Sequence, residues 1–296
     1  MIVPAGRREA SQRFTAALLL PRRALSACLF GAILRDTRGL ALDRHERFNQ
    51  FSASPLCGVT WWFEGESILV PRSGSEPAGE PLPRLAFVGP QQGPTVSYNP
   101  GPVFAMTLGF YPDAWLALTG VAVEPFVDRT VALSDILSGD MLDLFQPSAS
   151  PICATEHLHR LESRLEPIWR ALRPDGQGFG QRLGDWMTAL AIRAATSKSG
   201  RSARQFERRI KSWAGQSLRG IRAYERSELL LAEVASAKAH GGFSWADLSA
   251  AAGFADQSHM IRQVRRETGF PPDKLLHLVD HHEAFWCYRL LAGLSE

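Results

Sequence analysis

Two stretches about fifty residues apart carry the same pattern, and that pattern leaves few folds open to the chain. The downstream one reads Gly253-Phe254-Ala255-Asp256-Gln257-Ser258-His259-Met260-Ile261-Arg262-Gln263-Val264-Arg265-Arg266-Glu267-Thr268-Gly269. The upstream one reads Gly200-Arg201-Ser202-Ala203-Arg204-Gln205-Phe206-Glu207-Arg208-Arg209-Ile210-Lys211 and closes on Trp213-Ala214-Gly215. Each begins with a glycine turn and a good helix cap, Ser202 or Asp256, and each ends on a glycine suited to the left-handed end of a helix. Phe206, Ile210 and Trp213 fall on one stripe at helix spacing, as do Met260, Ile261 and Val264, and these six are expected to be buried. The same projection turns Arg201, Arg204, Arg208 and Lys211 outward on the first helix. On the second it turns Ser258, Arg262, Arg265 and Arg266 outward, with Gln257 and His259 beside them.

A basic helix face, taken once, is commonly no more than a solvated surface. Here each unit is preceded by a short apolar helix, with Ile192, Ala195 and Thr196 before Gly200, and Trp245, Leu248, Ala251 and Ala252 before Gly253. That is the positioning helix and turn of a helix-turn-helix, so the paired pattern predicts two helices built to enter DNA grooves. Charge agrees: Lys198 to Gly269 holds thirteen Lys and Arg against seven Asp and Glu, +6 in a chain whose net charge is +3. The cations lie where a phosphate backbone needs them. Leu218 to Ala239, with Gly220 its only Gly or Pro, reads as one long connecting helix. About twenty residues make a strut of roughly 30 Å, near the roughly 34 Å between major-groove entries on one face of a duplex.

The first half differs in kind. From about Arg22 to Leu133 it is rich in Gly, Pro, Trp and Phe, and short apolar runs alternate with turn clusters. The runs include Gly58 to Phe63, Ser67 to Val70, Leu85 to Val88 and Val103 to Leu108, and they predict short strands of a β-sandwich or barrel. From about Asp135 the spacing becomes helical, with Leu158, Leu161, Leu165, Ile168 and Trp169 on one stripe. The expected fold class is therefore α+β and multidomain: a β-rich, barrel- or sandwich-like N-terminal domain over 1–174, then a linker over 175–182. An all-α domain with two helix-turn-helix motifs follows over 183–276, and a C-terminal helix over 277–296. That helix is read as continuous from Asp273 to Leu294 and packed back onto one of the domains. The linker carries a GxGxG run, Gly176 to Gly180, but it follows a helix and lacks the rest of a dinucleotide fingerprint.

Other chemistries find little purchase. Cys28, Cys57, Cys153 and Cys287 have no spacing that a zinc site or disulfide framework needs, and they read as small buried hydrophobes. His281, His282, Glu283 and Cys287 are metal-capable, yet neighbours on a helix point apart, so no metal and no cofactor is expected. No Ser/His/Asp or phosphate-loop signature stands out, and the chain is expected not to be an enzyme. The early apolar run Ala16 to Leu20 is too short for a signal core or a membrane span, which points to a cytoplasmic protein. Trp61, Trp62, Phe87, Tyr98, Phe104 and Phe110 are candidate walls of an effector pocket, with Arg47, Asn49 or Glu64 supplying polarity. Plain core packing is the competing reading of those aromatics.

The residues from about Leu183 to Leu276 resemble the DNA-binding domain of AraC/XylS-type transcriptional regulators. The resemblance rests on Ser202-x-Arg204-Gln205-Phe206-x-Arg208-Arg209 with Gly215, and on Gly253-Phe254-x-Asp256-Gln257-Ser258-His259 with Arg262, Arg265-Arg266, Thr268-Gly269 and Pro272. It covers about a third of the chain. Ile210, Met260 and Val264 stand where the family usually has Phe, Ser249 where it has a small alanine and Pro271 where it has a hydroxyl residue. The resemblance implies double-stranded promoter DNA and RNA polymerase as partners, commonly in activation. The implied DNA-contacting set is Arg201, Ser202, Arg204, Gln205, Arg208, Lys211, Gln257, Ser258, His259, Arg262, Arg265 and Arg266. Arg suits guanine and Gln suits adenine, while Ser202 and Lys211 suit phosphates. The N-terminal half is similar to a domain found in one group of these regulators, through Arg35 to Gly39, Arg47 to Asn49, Trp61 to Gly65 and Phe110 to Trp115 with Gly120. It implies a domain that senses a small molecule, forms a homodimer, or both. The alternative is a domain that only dimerises or binds a protein partner. A third class, an N-terminal enzyme with an activated cysteine, needs Cys28 or Cys57 in a basic, exposed site.

Overall fold

The computed structural model describes residues 2–4, 16–147, 153–173, 183–197, 202–239 and 242–292. The expected linker and Arg201 lie outside the described residues. The chain folds as an antiparallel β region followed by a helical region. The strands are β1 (Ile2–Pro4), β2 (Ala16–Leu19), β3 (Leu29–Asp36), β4 (Phe48–Phe51), β5 (Cys57–Glu64), β6 (Ile68–Val70), β7 (Leu85–Val88), β8 (Thr95–Tyr98), β9 (Phe104–Phe110) and β10 (Thr130–Ala132). They form a seven-stranded sheet, in the order β1-β2-β3-β9-β5-β7-β10, and a three-stranded sheet, β4-β8-β6.

Strand alternation gives the large sheet two different faces. In register, Val59 lies opposite Leu108 and Phe87, and Trp61 lies opposite Met106, which stacks a fully buried apolar layer on one face. Three helices cover that layer: α1 (Pro112–Thr119), α2 (Gly139–Phe145) and α3 (Ala154–Leu172). Trp115 of α1 stacks on Phe87 with centroids 4.7 Å apart, and the Trp61 indole donates to the Phe145 carbonyl at 2.7 Å. Helix α1 starts with Pro112 at its first turn and stops at Gly120, whose φ of 72° is the left-handed end that glycine accepts without strain. The other face carries Leu18, Ile33, Arg35, Thr60 and Thr107. Thr60 and Thr107 meet across the strands at 2.9 Å.

The helical region holds α4 (Leu183–Thr196), α5 (Ala203–Ala214), α6 (Leu218–Ala239), α7 (Trp245–Ala251), α8 (Gln257–Thr268), α9 (Pro272–His281) and α10 (Trp286–Ala292). Buried residues of the first unit, among them Leu183, Trp186, Leu190, Ile210, Ala214 and Tyr224, join the core under the large sheet. The second unit has its own core of Leu230, Val234, Leu248, Phe254, Met260, Val264 and Leu275. Helix α6 runs through both: Ile221 and Tyr224 belong to the first core, Leu230 and Val234 to the second. Its 22 residues match the strut expected from the sequence.

Three expectations need correction. The last helix is not continuous. His282 turns extended at φ −117° and ψ 129°, a single 3-10 turn follows at Glu283–Phe285, and α10 leaves in a new direction against β2 and β4. A break is needed because Phe285 packs into the second unit's core while Trp286 packs against the β region. Ile261 is exposed, at 36%, because 100° from Met260 places it at the rim of the stripe. Gln263, Val264 and Glu267 complete the buried face instead. Cys153 is exposed, unlike the three other cysteines. Among the described residues no helix is long and apolar enough to cross a membrane.

Candidate nucleic-acid interface

Local chemistry fixes both candidate reading helices. At the start of α5 the Ser202 hydroxyl accepts from the Gln205 backbone N–H at 3.2 Å, and the Gln205 side-chain oxygen accepts from the Ser202 N–H at 3.3 Å, a complete capping box. Helix α5 ends at Gly215 with φ 71°. At the start of α8 the Asp256 carboxylate accepts from the His259 N–H at 2.6 Å, and the helix ends at Gly269 with φ 84°. Ile210 and Met260 are fully buried, whereas Phe206 and Trp213 are half-buried where α5 meets its neighbours.

The outward faces are those expected from the projection. Ser202, Arg204, Arg208 and Lys211 are exposed on α5, and Gln257, Ser258, Arg262, Arg265 and Arg266 on α8. Gln205 is engaged in the capping box and half-buried, so its amide holds the helix start. His259 is half-buried, its ring edge-on to Phe254 at 5.7 Å. The Lys211 ammonium lies 3.3 Å from the Glu124 carboxylate, an exposed pair that water screens. Arg209 reaches back to the Ala194 carbonyl at 2.7 Å, tying α5 to the C-terminal end of the positioning helix α4.

The β region braces the first unit through a buried carboxylate that no local spacing marks out. Asp113, on α1 and 6% exposed, accepts from the Trp186 indole at 2.6 Å and from Arg193 at 2.7 Å, both donors on α4. Arg193 also lies over the Trp213 ring of α5 at 5.1 Å. Farther along, the Tyr224 hydroxyl lies 3.1 Å from the Gln91 carbonyl, and the Ala53 N–H donates to the Glu267 carbonyl at 2.8 Å. The Glu267 side chain is buried beside Gln263, and burial pushes its carboxyl up to about 7.

The six candidate effector residues do not line one space. Trp61, Phe87 and Phe110 are buried in a ring cluster with Trp115 and Phe145, and Phe104 packs on Phe63 at 5.2 Å. Trp62 is half-buried on the opposite sheet face from Trp61. Tyr98 lies in the small sheet, 4.9 Å from Phe48. Of the polar candidates, Arg47 holds the Leu42 and Pro100 carbonyls, Glu64 pairs with Arg38, and Asn49 accepts from the Trp286 indole at 2.9 Å. Cys28 and Cys57 are buried and burial pushes both thiols up, which removes the exposed, basic setting that an activated cysteine needs.

No family model and no curated protein matches the chain. Similar solved structures include ToxT from Vibrio cholerae, at 10% identity over 78% of this chain and 95% of that chain, with a TM-score of 0.35. An apo variant of ToxT matches at 10% identity over 83% and 96%, with a TM-score of 0.37. ToxT bound to (E)-4-(8-methylnaphthalen-1-yl)but-3-enoic acid matches at 10% identity over 79% and 96%, with a TM-score of 0.35.

Proposed function

We propose that the chain is a sequence-specific DNA-binding transcriptional regulator of the AraC type, in which α5 and α8 enter the major groove and the β region biases their placement. One observation carries this reading. Two capped helices, each with a buried apolar stripe and exposed arginines, pack their units against successive parts of one 22-residue helix, the first at Ile221 and Tyr224 and the second at Leu230 and Val234. At 1.5 Å per residue that helix is roughly 33 Å long, close to one turn of B-DNA. Arg204 and Arg208 on α5, and Arg262, Arg265 and Arg266 on α8, are the proposed base and phosphate contacts. Ser202, Lys211, Gln257, Ser258 and His259 flank them. The capping of Gln205 supports a role in holding the helix start rather than in reading a base. Promoter DNA and RNA polymerase are the partners this reading implies, and the mechanism is binding rather than catalysis.

The β region fits a sensing role because it shares a core with the first unit, and within that shared core the buried Asp113 of α1 holds Trp186 and Arg193 of α4. A ligand that shifted α1 would move α4 and, through it, α5. A β region that only braces or dimerises is the second reading, favoured by the packing of the aromatic cluster as core. Binding to DNA upstream of the chain's own gene, against random competitor across a salt series, tests the proposal. The expected result is a footprint of about two helical turns with affinity falling steeply in salt. Equal affinity for cognate and random DNA refutes it.

A further inference from the structure

The 3-10 turn Glu283–Phe285 and α10 form a two-faced wedge. Phe285 and Tyr288 lie in the core of the second helix-turn-helix unit, where Phe285 meets Phe270 at 5.5 Å. Trp286, Cys287 and Leu290 lie on the other side, in a separate cluster with Ala16 and Leu18 of β2, Ile33 of β3 and Phe51 of β4. The wedge therefore fills the cleft between the β2–β3 side of the large sheet and the β4 edge of the small one.

Within this apolar cluster a few polar contacts are specific in their chemistry. Arg35 is 5% exposed, beside Ala16, Leu18 and Ile33 on the sheet face that also carries the Thr60–Thr107 pair. Burying a guanidinium is costly, and simple packing needs none. It donates to the Glu283 carboxylate at 2.9 Å and lies against the face of the Trp286 ring, 4.8 Å from its centroid. Asn49, also buried, accepts from the Trp286 indole N–H at 2.9 Å, and the Phe51 ring stands edge-on to Trp286 at 5.9 Å. One cation thus reads a carboxylate and an aromatic face together, and an amide reads the ring's N–H. Glu283 and Trp286 both come from one short segment that follows the extended residue His282.

We propose that this cleft is a ligand site occupied by the chain's own C-terminal segment, and that it accepts in that segment's place a small molecule bearing a carboxylate and a flat, indole-sized ring. Such a ligand competes with Glu283 for Arg35 and with Trp286 for Asn49 and Phe51. Because the same wedge carries Phe285 and Tyr288 into the second unit, displacing it loosens the core under α8. That regulatory consequence rests on the DNA-binding reading, whereas the site itself does not.

Indole-3-butyrate binding to the full chain, measured by calorimetry, tests the proposal, with hydrogen exchange followed over residues 286–292. In the wild type the docked segment masks the site, so apparent affinity is reduced by the fraction of molecules in which the cleft is open. Trp286→Ala is expected to bind the probe at least tenfold more tightly than the wild type, and Arg35→Met in that background to abolish the gain. In the wild type, saturating probe is expected to speed exchange of the 286–292 amides. Glu283→Gln removes the charge that faces both Arg35 and Arg289 with little change of volume and is expected to tighten binding at least threefold, so the test survives a Trp286→Ala chain that fails to fold. Equal binding by the wild type and Glu283→Gln, or a gain in Trp286→Ala that survives Arg35→Met, overturns the proposal. A chain that reads DNA specifically but ignores the probe refutes the site alone, and one that binds the probe without preferring any DNA refutes the regulator reading alone.

Discussion

Asp113→Asn is the substitution that most sharply isolates the brace between the β region and the first helix-turn-helix unit. Asparagine keeps an oxygen for the Trp186 indole and nearly the same volume, so what it removes is the charge facing Arg193. Breaking a fully buried ion pair by losing one partner costs about 3–5 kcal/mol. The Arg193 side chain is 27% exposed and water recovers part of that cost, so the expected loss is about 2–3 kcal/mol. The assay is urea unfolding followed by intrinsic tryptophan fluorescence and far-ultraviolet circular dichroism. Trp186 and Trp115 lie in the same buried core as the strands, so the two signals are expected to shift to lower urea together. A double-mutant cycle with Arg193→Met is expected to return a coupling of about 1.5 kcal/mol or more. A loss below about 0.5 kcal/mol, the range of an ordinary surface change, refutes the argument that this pair ties the two regions together.

Ser202→Ala removes the acceptor of the capping box and is expected to cost about 1 kcal/mol in thermal unfolding, whereas Ser202→Gly costs a few tenths. Glu267 gives a pH dependence. Its folded carboxyl is raised to about 7 from an unfolded value near 4.5, so the folded state holds a proton that the unfolded state has lost. Its contribution is therefore full below about pH 4.5 and declines as pH rises to about 7. Glu267→Gln is expected to flatten that decline and to stabilise the chain by about 1–3 kcal/mol at pH 8, read from denaturant midpoints across pH. Gly89→Ala places a methyl carbon 1.8 Å from the Phe126 carbonyl oxygen, a clash with backbone, and is expected to cost at least about 3 kcal/mol or to prevent accumulation of folded protein.

Much of the helical half is legible in the sequence because its signals are local. Cap, 3.6-residue stripe and terminal glycine occupy fourteen consecutive residues, Ser202–Gly215 around α5 and Asp256–Gly269 around α8, and the structure places the caps and glycines as the spacing predicts. Ile261 shows the limit of that reasoning. Helix spacing groups it with Met260 and Val264, but its angle, 100° from Met260, leaves it at the rim of that stripe, and the polar Gln263 and Glu267 occupy the buried positions by bonding to each other. The strands from Gly58, Ser67, Leu85 and Val103 were legible as apolar runs between turns, but their order in the sheets depends on pairings that no local pattern encodes. Long-range polar contacts were the least legible. Asp113 and Arg193 are 80 residues apart, and Arg35 and Glu283 are 248 apart. Each side chain by itself reads as an ordinary surface charge, and only the folded chain brings the partners together.

The most direct test of the account is selection of bound sites from randomised duplex DNA by the wild type, Arg208→Ala and Arg262→Ala side by side. The account predicts two short preferred sequences about one helical turn apart. Arg208→Ala is expected to relax preference in one of them and Arg262→Ala in the other, each at a cost of about 1–3 kcal/mol on the preferred site. A wild type that enriches no sequence, or variants that lose affinity equally for all duplexes, would contradict the claim that α5 and α8 read DNA as a pair.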